Sequence, residues 1–148
     1  MLHTKIIDTK IEKINITNAE KFLSSSQFGA IIYFVGTVRN QNNNKEVTGI
    51  TYDSKDSMVI NSFKEIYKEA ETKLNIKNKS VFIEHVKGYV SVEEKSIIIG
   101  VGCEHRNEAY KLSRFIIEEI KKRTPIWKKE HYRKEESKWL KGVTIQQN

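Results

Sequence analysis

Basic side chains gather at three predicted turns of the sequence, where they could bind an anion. The first segment, residues 36–40 (GTVRN), directly follows an apolar run. A glycine at the end of a strand lets a ligand approach the backbone closely, and Arg39 could then bind a phosphate or carboxylate through two parallel hydrogen bonds. Taken alone, the segment fits better an ordinary tight turn with an exposed arginine.

The second segment, residues 103–108 (CEHRNE), lies where a strand is predicted to give way to a helix. Arg106 and the free N–H groups of the first helical turn would face one place, which is a natural anion site. His105 adds a hydrogen-bond donor or a proton carrier. The alternative is that His105 satisfies a buried hydrogen bond while Arg106 pairs with Glu104 or Glu108, and the sequence leaves both open.

The third segment, residues 121–130 (KKRTPIWKKE), holds several cations around the sole proline of the chain. Lysines at a helix C-terminus complement the negative end of the helix dipole. Pro125 also turns the chain sharply, so Lys121 and Lys128 are predicted to share a small volume. Like charges at short range lower the pKa of a lysine and free a neutral amine, which can act as a base or a nucleophile.

Composition narrows the class of protein. The 148 residues contain 26 Lys and Arg against 19 Asp and Glu, a net charge of +7. This balance favours an anionic partner, whether nucleic acid, a phosphorylated small molecule or an acidic protein. No apolar run approaches the ~20 residues of a membrane-spanning helix, and the first residues lack the layout of a secretory signal. We therefore expect one cytoplasmic domain over residues 1–148, without membrane attachment.

Other chemistries lack their usual patterns. Cys103 is the one cysteine, which excludes an intramolecular disulfide and a multi-cysteine zinc site. The four histidines show no metal-ligand spacing, and no glycine-rich phosphate loop is present. These patterns therefore indicate no metal site of these types and no nucleotide-binding loop.

The sequence predicts both helices and strands around these three basic segments. Apolar periodicity and turn signals predict an α+β domain with a mainly antiparallel sheet and flanking helices. The predicted elements are a helix from Thr17 with capping-box spacing to Glu20, a buried strand over 30–35 paired with a strand over 47–52, a helix from Asp56, strands around 81–83 and 97–99 separated by Gly88 and Tyr89 and by a charged turn near residues 93–95, a helix capped by Asn107, and short segments at 126–127 and 139–140.

Together, FVGTVRN (34–40), CEHRNEAY (103–110) and IKKRTPIWKKE (120–130) resemble, in this order, the large catalytic subunit of molybdopterin synthase. The resemblance implies an α/β hammerhead fold and an enzyme of molybdenum cofactor biosynthesis. This sulfurtransferase family converts cyclic pyranopterin monophosphate into molybdopterin by forming the dithiolene. Its sulfur donor is the C-terminal Gly-Gly thiocarboxylate of a small ubiquitin-like subunit, whose tail enters a pocket on the large one. The resemblance implies that this sulfur transfer needs neither a metal nor an organic cofactor.

The resemblance also implies site residues. Lys121 and Lys128 would be catalytic, with Lys121 acting as base or nucleophile and Lys128 orienting the thiocarboxylate or stabilising charge. The implied substrate-binding residues are Phe34, Thr37, Val38, Arg39, His105, Arg106, Lys129 and Glu130. The sequence departs from the family pattern outside these motifs, for example at Val86 within residues 85–88 (HVKG) and around Glu93.

Helix geometry adds an expectation about assembly. Arg106 begins the predicted helix that Lys121 ends, so the two residues lie ~22 Å apart, too far for one small substrate. Either the two residues do different jobs, or a second copy of the chain brings its Arg106 to Lys121 of the first. We predict the second arrangement, a homodimer whose sites combine residues of both copies, and the heterotetramer that the family resemblance implies would accommodate it. The alternatives are a catalytically idle scaffold that binds the ubiquitin-like partner and, less favoured, a basic nucleic-acid-binding module.

Overall fold

The strands of the computed structural model, which describes residues 1–141, form one connected sheet in the order β2-β6-β5-β4-β7-β8. β1 pairs with β5 in parallel, and all other pairings are antiparallel, including that of β3 with β4. The fold is thus α+β with a mainly antiparallel sheet, as predicted. The elements are β1 (Leu2–Asp8), α1 (Ile16–Leu23), β2 (Ala30–Thr37), β3 (Gln41–Asn42), β4 (Lys45–Ser54), α2 (Asp56–Leu74), β5 (Lys79–Ser91), β6 (Lys95–Cys103), α3 (Arg106–Arg123), β7 (Ile126–Tyr132) and β8 (Lys138–Trp139).

Helices cover both faces of the central strands. α2 and α3 pack on one face through apolar residues at helical spacing, and α1 packs on the other. The buried side chains of the first face include Val59, Phe63, Ile66, Leu112 and Ile116. No helix in residues 1–141 is long and apolar enough to cross a membrane.

β5 changes its hydrogen-bonding partner along its length. It thereby joins the strands β2 and β6 on one side to the strands β4, β7 and β8 on the other. Residues 79–85 pair with β6, whereas residues 88–91 pair with β4. Gly88 lies at the change with a φ of 106°, a conformation that side chains with a Cβ rarely adopt. Gly88 and Tyr89 therefore lie within a long bent strand, and the prediction that they help to separate two strands is wrong. The predicted charged turn does separate β5 from β6, at residues 92–94.

The predicted pairing of residues 30–35 with residues 47–52 is also wrong. β2 pairs with β6, while β4 lies between β5 and β7. The reason is local, because Asn43 and Asn44 both adopt positive φ and close a tight turn. This turn joins β4 to the two-residue strand β3 instead of to β2.

β2 is an edge strand, which corrects the prediction that it is buried. Ile31 and Phe34 are each 38% exposed on it. Its last residues carry a register shift between Gly36 and Thr37. A Cβ on Gly36 would lie 2.7 Å from the side chain of Ile97, so only glycine fits there without displacing its neighbour.

Three further boundaries differ from the prediction. α1 is capped by Asn15, whose Oδ1 accepts from the backbone N–H of Thr17, so Thr17 lies inside the helix. α3 begins one residue before Asn107, with His105 at the N-cap. β7 extends to Tyr132 because it pairs along most of β4. In addition, the strand β1 was not predicted.

Candidate active site

A cavity of about 360 Å³ opens where the end of β2, the end of α3 and the strands β4 and β7 meet. The cavity collects most of the site residues predicted from the sequence. These are Phe34, Thr37, Val38, Arg39, Lys121, Lys128 and Glu130. Two predicted segments, residues 34–39 and 121–130, therefore form one site.

Strand pairing brings the residues of β7 into the cavity. Lys128 lies opposite Tyr52 and Glu130 lies opposite Ile50 in the antiparallel pairing of β7 with β4. Alternate residues of a strand point to the same face, so Lys128 and Glu130 enter the cavity together.

The end of α3 brings Lys121 to the same place. The backbone N–H of Thr124 donates to Ile120 at 3.1 Å and closes the last turn. The Thr124 hydroxyl lies 2.8 Å from that of Ser62 on α2, which fixes the turn to the helix layer. Pro125 then ends the helix, so the chain returns as β7 beside Lys121.

Backbone hydrogen bonds hold the segment that carries Arg39. The carbonyl of Val38 accepts from Glu93 at 2.8 Å, and the N–H of Val38 donates to the carbonyl of Glu94 at 3.2 Å. Val38 itself is buried. The turn between β5 and β6 thus holds this segment at the cavity.

The electrostatics of the cavity act on Lys128. Its burial lowers the pKa of Lys128, and the charges of Lys121 and Arg39 lower it further, while the carboxylate of Glu130 opposes them. The direction of this shift agrees with the one predicted from crowded cations, but burial is the larger cause. Lys128 can therefore supply a neutral amine more readily than an exposed lysine.

Glu130 is a buried carboxylate held in place by uncharged donors. Only 4% of it is exposed, and the side-chain amide of Asn42 lies 3.1 Å from each of its oxygens. Burial and a hydrogen bond to Glu130 raise the pKa of Tyr132 to about 12. Glu130 thus places a fixed negative charge beside Lys128.

His85 is a cavity residue that the sequence analysis did not assign to the site. Its ring is 7% exposed and meets the ring of Tyr52 edge-on, with centroids 5.1 Å apart. Burial lowers the pKa of His85 to about 4, and the charges of Lys128 and Lys121 contribute, so the ring is neutral at pH 7. Nothing in its sequence position, inside a long strand, distinguishes it from a core histidine.

Tyr52 and Ser96 were likewise not predicted, and they join the walls of the cavity. Burial raises the pKa of Tyr52; its hydrogen bond with Ser96 opposes this shift, and the charge of Glu130 adds to it. The Ser96 hydroxyl also donates to the carbonyl of Gly36 at 3.2 Å. This contact ties β6 to the end of β2.

The remaining predicted residues do not line the cavity. His105 and Arg106 lie exposed at the opposite end of α3, where His105 rather than Arg106 contacts Glu108, at 3.4 Å. Lys129 lies between two cavity residues on β7, and its Nζ lies 5.7 Å from the centre of the Trp139 ring. One copy of the chain therefore holds only part of the predicted site.

Comparisons with known proteins show which family the chain resembles in sequence and in fold. The family model described as MoaE protein matches residues 9–123. The molybdopterin synthase catalytic subunit of Synechococcus elongatus is 38% identical over 136 residues, covering 92% of this chain and 82% of that protein. The human protein of the same name is 36% identical over 137 residues, covering 93% and 71%. The crystal structure of molybdopterin synthase from Staphylococcus aureus is similar with a TM-score of 0.83 at 27% identity, covering 92% of this chain and 95% of that one.

Proposed function

The chain belongs to the MoaE protein family, and we propose that it is the catalytic subunit of a molybdopterin synthase. In this role it is a sulfurtransferase of molybdenum cofactor biosynthesis. It transfers sulfur from the C-terminal thiocarboxylate of a small ubiquitin-like subunit to cyclic pyranopterin monophosphate and forms the dithiolene. The observation that carries the proposal is the cavity in which a partly buried lysine of lowered pKa meets two further cations.

The charges of the cavity suit this reaction because both reactants are anions. Arg39 can bind a phosphate or a carboxylate-like group through two N–H donors, and Lys121 adds a second cation. The partial burial of Lys128 and the burial of Glu130 strengthen charge interactions on this side of the cavity relative to an exposed surface. Phe34, Thr37 and Val38 supply the surrounding wall.

The two lysines take different roles in the proposal. Lys128, whose pKa is lowered, supplies the neutral amine as a base or nucleophile. Lys121, on the exposed end of α3, supplies the cation that orients the thiocarboxylate and stabilises charge on the acyl group. This assignment reverses the one expected from the sequence, because burial acts on Lys128.

A second copy of the chain completes the site. Within one copy, Arg106 and Lys121 lie ~22 Å apart along α3. The pairing of Ala30 with Cys103 places the start of β2 near His105 and Arg106, whereas the end of β2 leads into the cavity. Two β2 edges that pair antiparallel about a twofold axis would bring the start of one strand to the end of the other.

This geometry supports a homodimer in which His105 and Arg106 of one copy bind substrate phosphate beside Lys121 of the other. The exposed Ile31 and Phe34 on the β2 edge suit such a contact. With one small subunit at each cavity, the assembly is a heterotetramer, and we place it in the cytoplasm as the sequence analysis predicts. Lys129 and Trp139, on the other face of β7, lie outside the proposed chemistry.

A conversion assay tests the proposed function. The protein is mixed with cyclic pyranopterin monophosphate and with the small subunit carrying either a thiocarboxylate or an ordinary carboxylate at its C-terminus. Molybdopterin, oxidised to its fluorescent derivative, is expected only with the thiocarboxylate. Absence of product, although the small subunit binds, would contradict the proposal and favour a scaffold that only docks the partner.

A further inference from the structure

His85 is an uncharged side chain on the wall of a cavity that is rich in cationic donors. Arg39, Lys121 and Lys128 all line the same space. The carboxylate of Glu130 already accepts from Asn42. His85 adds an uncharged acceptor to this cavity for a ligand that presents an N–H or O–H group.

The hydrogen bonds of His85 define which nitrogen is free. Nδ1 lies 2.8 Å from the carbonyl oxygen of Val86, and a carbonyl can only accept, so Nδ1 carries the proton. The ring is neutral at pH 7 because burial and the neighbouring lysines hold the pKa of His85 at about 4. In a neutral ring with a protonated Nδ1, Nε2 presents a lone pair.

Packing holds this lone pair in one direction. The ring is 7% exposed and lies edge-on against Tyr52, which is itself 7% exposed. Rotation of the ring by half a turn would break the bond to Val86 and leave a buried N–H without that partner, which is unfavourable. The acceptor is thus pre-positioned before any ligand arrives.

We propose, on the basis of the proposed function, that Nε2 of His85 accepts a hydrogen bond from an N–H or O–H group of the pterin part of the substrate. A lone pair repels phosphate oxygens, so the phosphate lies toward the cations and the pterin donor lies toward His85. His85 thereby fixes the direction in which the substrate enters the cavity. It is a specificity-determining residue that binds substrate without exchanging a proton.

Nitrogen NMR of the whole protein with ¹⁵N-labelled histidine tests the contact directly. Addition of cyclic pyranopterin monophosphate is expected to shift the Nε2 resonance of His85 toward that of a hydrogen-bonded acceptor, with Nδ1 still protonated. Inorganic phosphate at the same concentration is expected to leave Nε2 unchanged. Protonation of Nε2 by the bound substrate, or unchanged resonances of both nitrogens at saturation, would overturn the proposal.

Two substitutions provide a second measurement. His85→Phe keeps a ring against Tyr52 but removes the acceptor, and we expect the KM for the pterin substrate to rise roughly 10-fold or more. His85→Gln restores an acceptor oxygen and is expected to recover part of this loss. Binding of the thiocarboxylated small subunit is expected to remain unchanged in both variants. A purely structural role would instead reduce both affinities and would not be rescued by Gln.

The outcomes separate the two proposals. If wild-type protein forms molybdopterin and His85→Phe has the wild-type KM, the inference about His85 is wrong while the function stands. If wild-type protein neither binds nor converts the pterin, the proposed function fails, and the role of His85 fails with it.

Discussion

Lys128 faces Tyr52 across the antiparallel pairing of β7 with β4, and both side chains enter the same cavity. The position of the Lys128 backbone is therefore set by a sheet rather than by a mobile loop. Tyr52 is 7% exposed and limits the access of water on this side. The same packing that places the amine also lowers its pKa, because burial is the largest cause of that shift.

Neighbouring lysines on α3 form a matched pair for mutation. Lys121 lines the cavity, whereas Lys122 is exposed and pairs with Glu119 at 3.4 Å. We expect Lys121→Ala to reduce the rate of product formation by ~10²-fold or more, because a cation next to the reacting group is lost. Lys122→Ala should change the rate by less than about twofold, since an exposed ion pair contributes little. An equal loss of rate in the two variants would contradict a specific role for Lys121 and would show that the total positive charge of this helix end determines the rate.

The pKa of Lys128 should respond in opposite directions to two neutralising substitutions. Arg39→Gln removes a cation that lowers this pKa and should raise it. Glu130→Gln removes the carboxylate that raises it and should lower it. The rate at which an amine-labelling reagent modifies Lys128, followed against pH by mass spectrometry, reports both shifts. Shifts in the same direction would contradict the assigned electrostatics.

Stability should fall on acidification because of His85. Its pKa drops from an ordinary 6.5 to about 4 on folding, so between these values the unfolded chain binds more protons than the folded one. The free energy of unfolding is therefore expected to decrease by about 2 kcal/mol from pH 7 to pH 5 through this residue. Urea unfolding of the wild type and of His85→Gln at both pH values measures this decrease. In the variant, the free energy of unfolding should fall by about 2 kcal/mol less between pH 7 and pH 5. An identical pH dependence in both proteins would refute the buried neutral histidine.

Complementation tests the shared site. Arg106→Ala and Lys121→Ala homodimers should each be nearly inactive, but exchange of subunits should restore activity. In the mixed dimer, one of the two cavities contains both Lys121 and Arg106. Hybrids verified by native mass spectrometry that show no activity would rule out the composite site.

Local patterns predicted the helices well and the strand pairing poorly. The stripe from Val59 to Ala70 identifies α2 because its period matches a helix and its residues are buried. The pairing of β4 with β2 was predicted because the two strands are close in sequence. The turn at Asn43 and Asn44 instead pairs β4 with the two-residue strand β3. β1 was not predicted because its sequence shows little alternation of apolar and polar residues. Only one of its seven residues, Ile7, is buried.

The candidate site was predictable where its residues follow each other in sequence. Residues 34–39 and 121–130 lie at element ends and carry a recognisable pattern. His85 and Tyr52 lie in the middle of strands, and only the pairing of those strands shows that they share a cavity. The separation of Arg106 from Lys121 was predictable from the length of one helix.

Transfer of labelled sulfur in a single turnover tests the central claim most directly. The small subunit is prepared with an isotopically labelled thiocarboxylate and mixed with the pterin substrate and with wild-type, Lys128→Ala or Lys129→Ala protein. We expect labelled product from wild type and from Lys129→Ala, whose side chain lies against Trp139 outside the cavity, at similar rates. Lys128→Ala should form labelled product at least ~10²-fold more slowly. Labelled product from Lys128→Ala at the wild-type rate, or unlabelled product from wild type, would contradict sulfur transfer at this lysine.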